Sequence, residues 1–166
     1  MRKTLIIIEV FVLFLFNSCG IYTFSGSTLP TYLKTVDIPL FMNESMEPDV
    51  ADEITQLLNQ QMLSYNLLRI VSERGDATIT GTVTSYSNTP YTFGASAAKQ
   101  VDVEQYMVSV TANVQFIDNQ KSKPLFEGSV TGEGTYDFKT ETEETGRTKA
   151  VNDLVQRVLQ NTIQSW

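Results

Sequence analysis

Apolar residues recur along the chain with two different spacings, and each spacing predicts its own kind of element. Between residues 48 and 65 they return every three or four positions, the spacing of one helix face: Val50, Ile54, Leu57, Leu58, Met62 and Tyr65. The same spacing returns near the end of the chain, in Val151, Leu154, Val155, Val158, Leu159 and Thr162, with Ile163 and Trp166 beside it. The chain is therefore expected to form two amphipathic helices, each with one side to bury.

Alternation of apolar and polar residues predicts strands in much of the remaining chain. It is clearest from Ala77 to Tyr86, where apolar residues and Gly81 share one face and four threonines share the other. Residues 101–117 form the longest strand candidate, residues 118–124 a hairpin loop and residues 125–138 the returning strand. Shorter strands are predicted at residues 35–41 and 67–72. Pro39 should put the first of these at a sheet edge or near a strand end.

Three segments interrupt this pattern. Residues 87–100 contain Tyr91 and Phe93 among small residues and are predicted to form a long loop. Three glycines in the returning strand predict a bulge or a bend; they are Gly128, Gly132 and Gly134. The acidic run at residues 140–145 lacks the fixed spacing of a calcium loop, so we interpret it as a solvated linker.

The order of elements is strand, helix, three or four strands, helix. This order predicts an α+β fold: a two-layer sandwich with a mostly antiparallel sheet of about four or five strands and two helices on one face. The threonine-rich face of residues 77–86 would then be wet or would cover a partner.

Composition narrows the function classes. The chain of 166 residues contains no histidine and one cysteine, and 12 basic residues stand against 19 acidic ones. The acidic balance disfavours nucleic acid and offers no general attraction to anionic lipid. The lack of histidine removes the commonest general base and a leading metal ligand. We therefore predict no cofactor or metal site and expect that the protein is not an enzyme.

The first residues have the layout of a secretory signal peptide. Arg2 and Lys3 precede an apolar run from Leu5 to Phe16 that Glu9 interrupts once. Twelve residues are too few to cross ~30 Å of hydrocarbon as a helix. The run ends not in an A-x-A-like site but in Phe16-Asn17-Ser18-Cys19-Gly20.

This ending resembles a lipobox, the site at which bacterial lipoprotein precursors are cut before a cysteine that becomes acylated. Acyl chains on Cys19 would anchor the protein to a membrane that it does not span. The alternative is an ordinary signal peptide with an incidental cysteine, although a free thiol is unusual in a secreted protein. The predicted division is a signal peptide at residues 1–18, a lipid-anchored tether at 19–34 and one domain at 35–166. Without the first 18 residues the net charge is −8, from 10 basic and 18 acidic residues.

Lys121 and Lys123 form a locally basic tip on the predicted hairpin of this acidic chain. Such a tip is ordinarily just a soluble turn. The functional alternative is contact with a phosphorylated or otherwise anionic ligand.

Several sequence segments, in the order in which they follow one another along the chain, resemble the LptE family of lipopolysaccharide-assembly lipoproteins, in the form found in the Bacteroidetes. The residues that carry the resemblance are Cys19-Gly20-Ile21-Tyr22-Thr23-Phe24-Ser25-Gly26, Lys34-Thr35-Val36-Asp37-Ile38-Pro39-Leu40-Phe41-Met42-Asn43, Leu67-Leu68-Arg69-Ile70-Val71 after the first helix, Gly75-Asp76-Ala77-Thr78-Ile79-Thr80-Gly81, and a last helix closing on Trp166. The likeness covers nearly the whole chain after Cys19.

The resemblance implies an outer-membrane lipoprotein that sits as a plug and assembly factor inside the β-barrel LptD and helps deliver lipopolysaccharide to the outer leaflet. It also implies a sandwich of two helices and four strands. In enterobacterial members, basic residues at a sheet-end turn are implicated in lipopolysaccharide contact, which makes Lys121 and Lys123 positional candidates. The residues after Cys19 lack the acidic run that resembles a surface-export signal, so the domain should face the periplasm.

Two other classes stay open. One is a structural or pilotin-like lipoprotein that serves another envelope secretion or assembly machine without a lipid ligand. The other is a lipoprotein that binds a soluble ligand through residues 87–100, which would need a deep apolar pocket beside Tyr91 and Phe93.

Overall fold

A computed structural model describes residues 29–66, 68–95 and 101–164. The described residues form six strands and two α-helices: β1 (Thr35–Asp37), β2 (Met42–Asn43), α1 (Val50–Tyr65), β3 (Arg69–Val71), β4 (Ala77–Ala95), β5 (Val101–Asp118), β6 (Lys123–Asp137) and α2 (Glu143–Leu159), with a π-helical turn at Gln160–Gln164. The predicted signal peptide, Cys19 and the tether up to residue 28 lie outside the described residues, as do Leu67 and Trp166.

The strands form one mixed sheet in the order β3-β1-β4-β5-β6, with β2 also paired to β4. β4, β5 and β6 make an antiparallel meander, whereas β1 runs parallel to both β3 and β4. The α+β prediction is confirmed. The strand count exceeds the expectation because the predicted strand at residues 35–41 is replaced by two short strands, β1 and β2.

The core lies between the sheet and the two helices, and most of its residues are those that the two spacings predicted, although Tyr65 of the first helical stripe is 39% exposed. The inward face of β5 is fully buried from Val108 to Phe116, and so are Ile79 and Val83 of β4. Buried helix residues include Val50, Ile54, Leu58 and Met62 of α1 and Val151, Leu154, Val155, Val158 and Leu159 of α2. The opposite face of the sheet carries the threonines of β4, which are only partly covered.

The glycines of β6 serve close packing, so the predicted bulge at these positions is wrong. The pairing of β6 with β5 is continuous past Gly128, Gly132 and Gly134, and its one irregularity lies opposite Phe116 and Ile117. A Cβ on Gly132 or Gly134 would collide with backbone atoms of α2. These glycines therefore let the helix approach the sheet closely.

The predicted loop at residues 87–100 is also wrong over most of its length. β4 continues to Ala95 and pairs with β5 as far as Val101, while residues 96–100 lie outside the described residues. Register shifts beside Val83 and between Pro90 and Phe93 accommodate the irregular sequence. A long partner strand thus extends pairing through residues whose own preference is for turns.

One local prediction around the first helix needs correction. α1 begins at Val50 rather than at Pro48, and Asp49 before it has a left-handed φ of 64°. The expectation for Pro39 holds in its second form: β1 lies between β3 and β4 and is not an edge strand, but Pro39 follows its end. Neither described helix is long and apolar enough to span a membrane.

Candidate functional site

Lys121 and Lys123 lie at one end of the sheet, in and beside the β5–β6 turn, and both side chains are exposed. The predicted hairpin is confirmed. Its turn is held by Asp118, whose Oδ1 accepts hydrogen bonds from the backbone N–H groups of Gln120 (2.9 Å) and Lys121 (3.0 Å). Ser122 completes the turn with a φ of 50°.

Tyr32 joins the tether to this turn. Its hydroxyl donates to Asp118 Oδ2 at 2.5 Å, and Lys121 Nζ lies 4.4 Å from the centroid of its ring. Burial would raise the pKa of Asp118, but the hydrogen bonds from Tyr32 and the turn N–H groups lower it overall. Contact with the Tyr32 hydroxyl, helped by the charge of Asp118, raises the pKa of Lys121. Lys121 therefore stays cationic and is positioned by an aromatic ring.

Asp76 ties the start of β1 to the same turn. Its carboxylate accepts hydrogen bonds from the backbone N–H groups of Lys34 and Thr35 (both 2.9 Å) and from Gln120 Nε2 (2.8 Å). These bonds, led by that of Lys34, lower the pKa of Asp76 to about 2. Asn119 adds a bond to the Gly75 carbonyl at 2.8 Å. This end of the domain is consequently a connected polar network.

The pairing register of the strands brings two more cations to this end of the sheet. The sequence pattern did not indicate either of them. Thr35 pairs with Arg69, Val36 with Ala77, Ala77 with Asp118 and Asp118 with Lys123, so the starts of β1, β3 and β6 are nearly level. The four cations of this row, which we call the cationic end, are Lys34, Arg69, Lys121 and Lys123. They are spread over four inter-strand spacings, about 19 Å.

The cationic end lacks ion pairs among the described residues, a property that it shares with Arg74 and Lys139. None of its four side chains has a carboxylate oxygen within 4.0 Å among the described residues, where every ion pair found involves Arg147, Lys149 or Arg157. Asp76 and Asp118, which lie at this end, are engaged as acceptors in the polar network. The arrangement can therefore bind an anion of extended shape.

The acidic run at residues 140–145, predicted to be a solvated linker, is mostly exposed but also has structural roles. Glu141 accepts the Asp137 N–H (2.9 Å) and pairs with Lys149 (3.0 Å), while Glu143 begins α2 and accepts the Tyr86 hydroxyl at 2.8 Å. Within the described residues no group of histidine, cysteine, aspartate and glutamate side chains could hold a metal ion.

Tyr91 and Phe93 lie on the part of β4 that continues towards Ala95. Their side chains are 54% and 60% exposed, so they do not form the enclosed apolar pocket that a soluble ligand would need. The Cys19 prediction cannot be placed here because that residue lies outside the described ranges.

Solved structures with the same arrangement define the class of this fold. The chain is similar to the hypothetical protein CT253 of Chlamydia trachomatis (TM-score 0.54, 8% identity, 78% of this chain and 98% of that one). It is also similar to the uncharacterized lipoprotein B of Nitrosomonas europaea (0.52, 13%, 77% and 81%) and to the PelC dodecamer of Paraburkholderia phytofirmans (0.51, 18%, 84% and 95%). At these identities the likeness shows a shared helix-on-sheet α+β fold. A search of curated proteins finds no match.

The match of the sequence to a family is more specific than the likeness of the fold. The LptE family, described as lipopolysaccharide-assembly, matches residues 33–162, which include both helices and all four residues of the cationic end. The protein belongs to the LptE family.

Proposed function

We propose that the protein is an outer-membrane lipoprotein that partners an LptD-type β-barrel as plug and assembly factor in lipopolysaccharide transport to the outer leaflet. The observation that carries this proposal is the family match over residues 33–162. The role is one of binding and assembly, not of catalysis.

The anchor of this lipoprotein is Cys19, acylated after removal of residues 1–18, and the domain faces the periplasm. Residues 19–34 link the lipid to the domain at 35–166. Two observations on the last part of this tether support the arrangement. Leu33 is 3% exposed, and Tyr32 is bonded to the β5–β6 turn. The chain that comes from the lipid therefore enters the domain at the cationic end.

The cationic end is the proposed contact for the anionic groups of lipopolysaccharide. Lys121 and Lys123 supply two of its charges, and Lys34 and Arg69 extend the row across the sheet. Ammonium and guanidinium groups bind phosphate and carboxylate through charge-assisted hydrogen bonds. Because the surplus of acid lies elsewhere on the chain, this local cluster can act although the net charge is −7.

Purification from the native outer membrane tests the partnership. The acylated protein, tagged after Trp166, is extracted in mild detergent, and its bound proteins are identified by mass spectrometry. We expect a stoichiometric barrel of the lipopolysaccharide-export type. Recovery of the protein alone, or with a secretin or another envelope machine, would contradict the barrel role and favour the pilotin-like alternative.

Replacement of the cysteine tests the anchor. Cys19→Ala should leave the precursor uncut and outside its normal membrane fraction, because no thiol remains to be acylated. Ser18→Ala, next to it, keeps the thiol and is the matched control. Processing and membrane fractionation of Cys19→Ala like those of the control would refute the lipoprotein assignment.

A further inference from the structure

Lys121 has an acidic neighbour in its own turn, yet the two side chains do not pair. Asp118 precedes Lys121 by three positions, and Lys123 lies opposite Asp118 in the pairing register of β5 and β6. A lysine side chain has a flexible four-carbon stem, which can bring the ammonium group to a carboxylate this near along the chain. Among the described residues, however, neither lysine has a carboxylate oxygen within 4.0 Å. Another group must therefore satisfy the carboxylate of Asp118.

Tyr32 is the group that satisfies this carboxylate. Asp118 is only 1% exposed, so both of its carboxylate oxygens need hydrogen-bond donors from the protein. Oδ1 accepts the backbone N–H groups of Gln120 and Lys121, which form the turn. Oδ2 accepts the Tyr32 hydroxyl at 2.5 Å, and this is its only hydrogen bond among the described residues. Without the hydroxyl, Oδ2 would be a buried acceptor that lacks a donor.

The ring of Tyr32 contacts the ammonium group of Lys121 at the same time. Nζ lies 4.4 Å from the centroid of the ring, which is close enough for a cation–π attraction. A tyrosine ring carries no net charge, so the ammonium group keeps its full charge for an anion. One side chain thus contacts both members of an ion pair that does not form.

The chain around Tyr32 fixes the side chain in this position. The Leu33 N–H donates to the Pro30 carbonyl at 2.9 Å and closes a turn, and Leu33 itself is 3% exposed. The side chain of Tyr32 is partly buried and packs against the core. Tyr32 is therefore held on the domain by its neighbours as well as by its own hydroxyl.

We infer that Tyr32 is a positioning residue of the cationic end: it keeps the Asp118 carboxylate and the Lys121 ammonium group apart, so that Lys121 remains available to an anion. The separation is a property of the domain, whereas its consequence for lipopolysaccharide binding rests on the proposed function. Because Tyr32 belongs to the tether, the charge that the cationic end presents depends on how the tether lies on the domain.

The pKa of Asp118, followed by NMR of its carboxyl carbon in the full mature protein, tests the separation without any ligand. Tyr32→Phe keeps the ring and removes the hydroxyl, so the Lys121 ammonium group should move to Oδ2. Lys121→Met should then raise the pKa of Asp118 more in the Tyr32→Phe protein than in the wild type, because a nearby cation favours the charged carboxylate. Equal rises in the two proteins would overturn the inference. So would a rise in the Tyr32→Phe protein that follows Lys123→Met and not Lys121→Met.

The affinity of the purified protein for lipopolysaccharide tests the consequence for binding. Tyr32→Phe should weaken binding roughly fivefold, which is the contribution of one basic side chain near an anionic surface. When Asp118→Asn is also present, residue 118 has no charge to pair with Lys121, and Tyr32→Phe should weaken binding by less than about twofold. The matched control is Tyr91→Phe, which removes the hydroxyl of an exposed tyrosine of β4 and should leave the affinity unchanged.

The remaining outcomes separate this inference from the proposed function. Equal losses from Tyr32→Phe with and without Asp118→Asn would give Tyr32 a merely structural role and overturn the inference. Unchanged binding in Tyr32→Phe would do the same. If the wild type does not bind lipopolysaccharide, the proposed contact and the consequence for binding are both refuted, and the pKa comparison still decides whether Tyr32 keeps the two charges apart.

Discussion

The two ends of β6 use the same kinds of charged side chain in opposite ways. Beyond its last residue two cations are paired with carboxylates, Arg147 with Glu47 and Glu53 and Lys149 with Glu141, while the exposed Lys139 has no such partner among the described residues. At its first residue the cations have no carboxylate within 4.0 Å among the described residues. The paired charges at the end of β6 hold the fold together, whereas the unpaired cations at its start are available to a ligand.

The paired end is also where the helices are fixed. Arg147 of α2 reaches Glu47, before α1, and Glu53, in its first turn, each at 2.8 Å. Burial lowers the pKa of Arg147, but the carboxylates of Glu53 and Glu47 outweigh it, so the pKa is raised. Burial and the Glu143 carboxylate likewise raise the pKa of Tyr86, which stays a donor. Substitutions here should change stability and leave ligand binding intact.

The largest effect is expected where α2 touches the sheet. In Gly134→Ala the added methyl group would collide with the backbone of Gly146 and Ala150, so we expect a loss of about 2–3 kcal/mol in the free energy of unfolding. Gly128→Ala is the matched control, because its methyl group meets only a movable ring. Urea denaturation measures both, and equal losses would show that the close approach is unimportant.

A smaller loss is expected from Arg147→Met, which keeps the apolar stem but leaves two partly buried carboxylates without their cation. We expect a loss of about 1–2 kcal/mol in the free energy of unfolding, again measured by urea denaturation. Lys139→Met removes an exposed cation near the same end and should change the stability by less than about 0.5 kcal/mol. A loss as large in the control would mean that net charge, and not the ion pairs, matters here.

The smallest stability effect is expected at the cationic end and depends on pH. The pKa of Asp76 is lower in the folded chain than its ordinary 3.8, so its stabilising contribution is complete above that value and lost as the pH falls towards about 2. Asp76→Asn should therefore be less stable than the wild type near neutral pH, and the difference should shrink through this window. Glu73→Gln, an exposed neighbour, is the control for loss of one charge. A difference independent of pH would contradict the role of the carboxylate charge.

The elements that local pattern decides were predictable from the sequence. The stripes of α1 and α2 and the alternation in β4 and β5 follow from burial of one face, and those faces are buried apart from Tyr65 at the end of α1. The extension of β4 to Ala95 was not predictable, because it depends on pairing with β5, which outweighs the turn preference of Asn88, Pro90 and Gly94.

The candidate site was predictable only in its local part. Lys121 and Lys123 are close in sequence and mark a hairpin tip by themselves. Lys34 and Arg69 join them through a parallel pairing of three-residue strands, whose register no sequence periodicity reveals. The glycines of β6 were misread for a related reason: a site of close helix approach has the same local signature as a bulge.

We propose above that the unpaired cations bind the anionic glycolipid. The most direct test of this claim is the affinity of the purified protein for lipopolysaccharide. Lys121→Glu combined with Lys123→Glu should weaken binding roughly thirtyfold or more, since each basic side chain near an anionic surface contributes about 1 kcal/mol and two are lost. The matched pair is Lys123→Glu against Lys139→Glu, which reverses an exposed lysine just past the other end of β6; only Lys123→Glu should lose affinity. Unchanged binding in the double variant, or equal losses in the matched pair, would contradict the claim.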